Sequence, residues 1–107
     1  MNKRYKRKPS LLTEDVKKLI GDRQYRSFVS CQIHCEENQF FLGEIEGMCE
    51  ALFLFETKRD VLNISDKLED LMIEYDCDQN TAQLNEQKMF CAGKTSGVNE
   101  VWRLLFS

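Results

Sequence analysis

The side chains best able to do chemistry begin with CQIHC, where Cys31, His34 and Cys35 lie close together, and Cys77 and Cys91 follow far downstream. Those residue types are zinc ligands, but tetrahedral zinc needs four donors converging within ~2.0–2.3 Å of the metal, usually from paired short knuckles. On an extended strand Cys31 and Cys35 would share a face about 13 Å apart at ~3.3 Å per residue, with His34 on the other face. No second closely spaced pair exists, so no metal is assigned, and the thiols are expected to be buried, reduced and apolar in character. Asp76, Asp78 and Asn80 copy the first three ligands of a calcium loop. Thr81 then replaces its turn glycine and Gln87 its bidentate glutamate. GKTSG at 93–97 has the Gly-Lys-Thr of a phosphate loop without the upstream glycine, and it reads as a hairpin turn.

Catalysis has little to work with. His34 is the only histidine, so any Ser-His or Cys-His pair must use it. Glu44 and Glu46 would share one strand face, the spacing of a carboxylate pair and equally of an ordinary solvated edge. No complete motif is present, no cofactor is implied, and the chain reads as a non-enzyme.

Charge is distributed unevenly. Lys3, Arg4, Lys6, Arg7 and Lys8 make residues 1–8 strongly basic with no acid, whereas the other 99 residues hold 10 basic and 18 acidic side chains. Residues 1–9, ending in the only proline, read as a disordered basic arm suited to phosphate contact or nuclear import, or simply to solubility. Residues 10–107 read as a single domain, long enough to bury a core without disulfides. No apolar run approaches the ~20 residues that span a bilayer. Five cysteines without regular spacing suit a reducing compartment, so the expectation is an intracellular protein, cytoplasmic or nuclear.

These elements must position whatever chemistry exists. Leu12, Val16, Leu19 and Ile20 predict a first helix over residues 10–24, with Thr13 as its cap and Gly21 near its end. From Arg26 the apolar period becomes two, which predicts strands over 26–35, 39–47 and 49–56, with bulges at Gly43 and Gly47. Ala51 to Phe55 (ALFLF) is the most apolar run and reads as the central strand. Val61, Ile64, Leu68, Leu71, Met72 and Tyr75 predict an amphipathic helix over 58–75, capped by Thr57 or Ser65. A polar connection at 76–82 and strands over 84–92 and 98–106 complete the chain, and no internal repeat stands out.

The expected fold is therefore α+β: an N-terminal helix, then an antiparallel sheet of about five strands in βββαββ order on one long helix. The expected function is that of a protein-interaction module, an acidic adaptor or regulatory subunit with a nucleic-acid-handling protein as a candidate target. Its partner face would be Glu44, Glu46, Glu50, Glu69, Asp70 and Glu74, which attracts a basic protein. Self-association into a homodimer is also open. The alternative is a nucleic-acid-binding module whose strand order matches an oligonucleotide-binding barrel, with Lys3, Arg4, Lys6, Arg7 and Lys8 contacting phosphates.

Overall fold

In the computed structural model, which describes residues 4–30, 35–58 and 61–106, four helices follow one another: α1 (Pro9–Ser30), α2 (Cys35–Lys58), α3 (Val61–Thr81) and α4 (Asn85–Leu105). The described residues contain no named strand, only one isolated bridge between Tyr5 and Phe106. The α+β expectation is therefore wrong, and with it the barrel-like strand order. Helix replaces each expected strand wherever residues are described, except at the end residues Leu84 and Phe106. Part of the first, residues 31–34, lies outside them.

Glycine explains the misreading. Read with glycines counted as gaps, 39–47 and 84–92 look like interrupted alternation. Counted as buried positions, Phe40, Gly43, Glu44, Gly47, Met48, Ala51 and Phe55 fall at helical spacing, as do Phe90, Gly93, Gly97, Val98, Val101 and Leu105. The glycines are where α2 and α4 touch. A Cβ on Gly43 would lie 2.1 Å from the Phe90 carbonyl oxygen, and one on Gly93 would lie 2.1 Å from that of Phe40. Gly47 and Gly97 meet the carbonyls of Lys94 and Glu44 in the same way, at 2.3 Å. Two small-xxx-small faces let the backbones pack directly, the arrangement that close helix pairs use generally. Gly43 and Gly47 are thus crossing points rather than bulges, and GKTSG is the middle of a helix rather than a turn.

Boundaries shift for local reasons. Pro9 occupies the first position of α1, where its fixed φ suits the helix and its missing N–H costs nothing. Leu11 and Leu12 donate backbone bonds to the Lys8 carbonyl at 3.0 and 3.1 Å. Gly21 does not end this helix. Its α-carbon faces open space, and the chain continues helically to Ser30. The expected polar connection at 76–82 is likewise helical as far as Thr81, whose hydroxyl donates to the Cys77 carbonyl at 3.1 Å. Neither Thr13 nor Ser65 caps a helix, since both are buried within one.

Packing gives the architecture. α2 and α4 run in the same direction as a central pair, while α1 packs antiparallel on α2 and α3 antiparallel on α4. Leu12, Val16, Met48, Phe55, Ile64, Leu68, Val98, Val101 and Leu105 fill one continuous core. Residues 4–8 close its end. Tyr5 lies half-buried between Phe55, edge-on at 5.2 Å, and Phe106, stacked at 5.6 Å. The Lys6 amide donates to the Leu105 carbonyl at 2.9 Å.

The two hairpins are copies of one plan. Leu12 and Val16 correspond to Ile64 and Leu68, 52 residues later, and Thr13 to Ser65. Residues of α2 correspond to those of α4 50 residues later. Glu36, Phe40, Gly43, Gly47, Glu50 and Leu54 recur as Glu86, Phe90, Gly93, Gly97, Glu100 and Leu104. An approximate two-fold axis between α2 and α4 relates the halves, so the chain does carry an internal repeat.

Candidate functional site

Of the six acids expected to form a partner face, the structure removes one and brings three together. Glu44 is only 3 % exposed and belongs to the interior. A helix puts Glu44 and Glu46 on different faces, which breaks the carboxylate pair that a strand would have made. Arg23 Nε approaches the Glu44 carboxylate at 3.1 Å, and the Ser96 hydroxyl donates to it at 3.2 Å. The Nε–H is close in charge but not aimed for a hydrogen bond. Arg23 Nη2 also reaches both oxygens of Glu100, at 2.6 and 2.7 Å, so one guanidinium ties α1 to α2 and α4. Burial works against this charge, but the two carboxylates outweigh it and hold the Arg23 pKa above its ordinary value.

Glu50, Asp70 and Glu74 line one groove between α2 and α3, of about 230 Å³, with Leu54 and Leu71 as apolar wall and Lys67 at its side. The period of α3 explains this: 67, 70, 71 and 74 follow i, i+3, i+4, i+7, and 50 and 54 on α2 face them. Glu46 is exposed and Glu69 half-exposed, and neither lines the groove. Behind the groove, the Tyr75 hydroxyl donates to the lining carboxylate of Glu50. Burial first, then that hydrogen bond and the charges of Glu50, Glu74 and Glu46, hold the phenol well above its usual pKa. Tyr75 is therefore a neutral donor at any physiological pH. Lys94 sits over the Tyr75 ring, 4.9 Å from its centroid. Cys49 reaches the surface, yet the partial burial of its thiol and then Glu46 push its pKa up.

The positions that the repeat equates with this groove lie on α1 and α4, and their acids are already paired. Asp15 pairs with Arg7, Asp22 with Arg23 and, at 3.2 Å, Arg26, and Glu100 with Arg23. In the second hairpin the repeat puts Lys67 at the position of Asp15, Glu74 at Asp22, Glu50 at Glu100 and Asp70 at Lys18. Tyr75 replaces Arg23 and Asp78 replaces Arg26. Among the described residues no lysine or arginine pairs with Glu50, Asp70 or Glu74.

The remaining sequence expectations scatter. Arg4, Lys6, Arg7 and Lys8 are exposed, and Lys3 lies outside the described residues. Cys31 and His34 also lie outside them. Cys49 and Cys77 are exposed rather than buried, and Cys91 is half-buried. Among the described residues no group of three or more His, Cys, Asp or Glu is placed to hold a metal ion, and no helix is long and apolar enough to cross a membrane. Asp76, Asp78 and Asn80 lie on a helix, not in the sharp loop that calcium needs.

Arg23, Tyr75, Lys94 and the glycine quartet were missed by residue-type reasoning. Their signal was present all the same, in the recurrence of Glu-x3-Phe-x2-Gly-x3-Gly-x2-Glu-x3-Leu from Glu36 at Glu86. Comparison with protein-family models, curated proteins and solved structures found no match for the chain.

Proposed function

We propose that this protein is a non-enzymatic interaction module whose α2–α3 groove holds an arginine-bearing segment of a protein partner. The observation that carries the reading is internal to the molecule. At the equivalent positions on α1 and α4, Asp15, Asp22 and Glu100 are paired with Arg7, Arg23 and Arg26, whereas Glu50, Asp70 and Glu74 line the α2–α3 groove without an arginine partner. Guanidinium suits the place better than ammonium. Its planar donor set can pair two N–H groups with the two oxygens of a carboxylate such as Glu50, and its weaker hydration lowers the cost of entering a half-apolar groove. Proteins that handle nucleic acid carry arginine-rich segments, which makes them the natural class of partner for an adaptor or regulatory subunit.

The test is binding of a labelled arginine-rich peptide against a lysine-rich peptide of equal charge. Tighter binding of the arginine peptide, weakened at least tenfold in Glu50→Gln/Asp70→Asn/Glu74→Gln, is the expected result. Equal binding of both peptides, unchanged in that variant, would leave only diffuse charge attraction. A second copy of the chain is a rival occupant, and sedimentation at rising concentration distinguishes it. The basic arm supports a separate reading, contact with nucleic acid, because Arg4, Lys6 and Lys8 stay exposed while Tyr5 anchors the segment. Oligonucleotide anisotropy at two salt concentrations, with and without residues 1–8, tests that reading.

A further inference from the structure

Where α3 gives way to α4, a hollow of about 490 Å³ opens, lined by Asp78, Thr81, Leu84, Glu86, Phe90 and Cys91. That volume falls within the ~300–1,000 Å³ of typical small-molecule sites. The repeat shows what this wall lacks. Cys91 stands where the first hairpin has Phe41, and Asp78 stands where it has Arg26. Phe41 is half-buried with its ring edge-on to Phe40, 6.1 Å between centroids. Phe90, the counterpart of Phe40, has no aromatic neighbour among the described residues. Compared with the first hairpin, the second is short of one ring and one cation on the same stretch of wall.

We propose that this hollow binds a small organic cation bearing a single aromatic ring. The ring lies against Phe90 and Cys91, restoring the edge-to-face pair that Phe40 makes with Phe41. The ammonium faces Asp78 and Glu86. Lys94 holds its Nζ 5.0 Å from the Phe90 centroid, so the ligand's own charge belongs at the carboxylate end of the hollow and not over that ring. The site is separate from the α2–α3 groove and shares no lining residue with it.

Phenethylammonium is the probe, titrated into the full-length protein while amide NMR shifts are followed. Saturable shifts centred on Leu84, Phe90 and Cys91 are expected. Cys91→Phe, which restores the first hairpin's ring, should abolish binding, and Cys91→Leu gives the same test if phenylalanine disturbs folding. Cys91→Ala should keep it, which rules out a role for the thiol. Asp78→Asn should weaken binding roughly two- to fivefold, the range of an exposed ion pair. Both 2-phenylethanol, without the charge, and n-butylammonium, without the ring, should bind more weakly than the probe. Absence of saturable shifts at millimolar probe would overturn the proposal, as would equal binding by the Cys91→Phe and Cys91→Leu variants.

Discussion

The two hairpins share a backbone plan and part company in their chemistry. In the first, α1 sends Arg23 to Glu44 and Glu100, and the outlying acids take Arg7 and Arg26. The repeat equivalents of Arg23, Glu44, Glu100 and Arg26 are Tyr75, Lys94, Glu50 and Asp78. A buried ion pair there becomes a phenol–carboxylate bond and a cation over a ring. Around α1 the charges are satisfied within the chain, by Glu100 of α4 among others. Around α3, three carboxylates, one of them Glu50 of α2, and a hollow face outward. A fold built twice can keep one copy of a helix for stability and expose the other, and that division locates both proposed sites beside α3.

The largest effect should come from what the halves share. Gly43→Ala and Gly93→Ala each force a methyl into a backbone carbonyl of the facing helix, so each should cost about 3 kcal/mol or more in denaturant unfolding. Gly21→Ala, whose new methyl meets open space, should instead stabilise by ~0.5–1 kcal/mol. Equal losses at Gly43 and Gly21 would contradict the helix crossing.

Next is the charge that only the first half buries. Arg23→Met leaves Glu44 in the interior without its cation and should cost on the order of 3 kcal/mol. Its counterpart, Tyr75→Phe, removes one hydrogen bond and should cost about 1 kcal/mol. The two differ in pH dependence as well. Tyr75 has a raised folded pKa, so the folded state keeps its proton longer than the unfolded chain does. Its stabilisation is complete below the unfolded tyrosine value of ~10 and is lost as pH rises beyond it. Chemical denaturation between pH 8 and 11 should show a loss in the native protein that is smaller in Tyr75→Phe. Parallel curves would show that burial and Glu50 do not act on this phenol.

The smallest test compares two buried hydroxyls. Trp102 donates to Ser65 at 3.4 Å, but the repeat places Leu52 opposite Thr13, and the Thr13 hydroxyl has no partner. Ser65→Ala should therefore destabilise by ~0.5–1.5 kcal/mol, while Thr13→Val should be neutral or stabilising. Thermal melts of both variants would settle the order.

Sequence reading located the outer helices better than the inner pair. Leu12, Val16, Leu19 and Ile20, and Ile64, Leu68, Leu71 and Met72, are large apolar residues at helical spacing, so their stripes could be read directly. α2 and α4 hide theirs behind glycines, residues that local propensity counts as breakers and that only a contact between distant segments explains. The alternation from Val29 to Cys35 also misled, because it runs across the boundary between two helices. For the site, Glu50, Asp70 and Glu74 could be chosen by charge alone. Glu44 could not be told from them, because its burial depends on Arg23 arriving from another helix. The α2–α3 groove emerges only when the halves are aligned and the missing arginines noticed.

The central claim is that the α2–α3 groove accepts from a partner what the equivalent acids on α1 and α4 receive from their own chain. The direct measurement rebuilds the first hairpin's chemistry in the second, with Tyr75→Arg and Lys94→Glu introduced together, and titrates the arginine-rich peptide. A folded variant that no longer binds the peptide, beside a native protein that does, is the expected result. Undiminished binding by that variant would contradict the account.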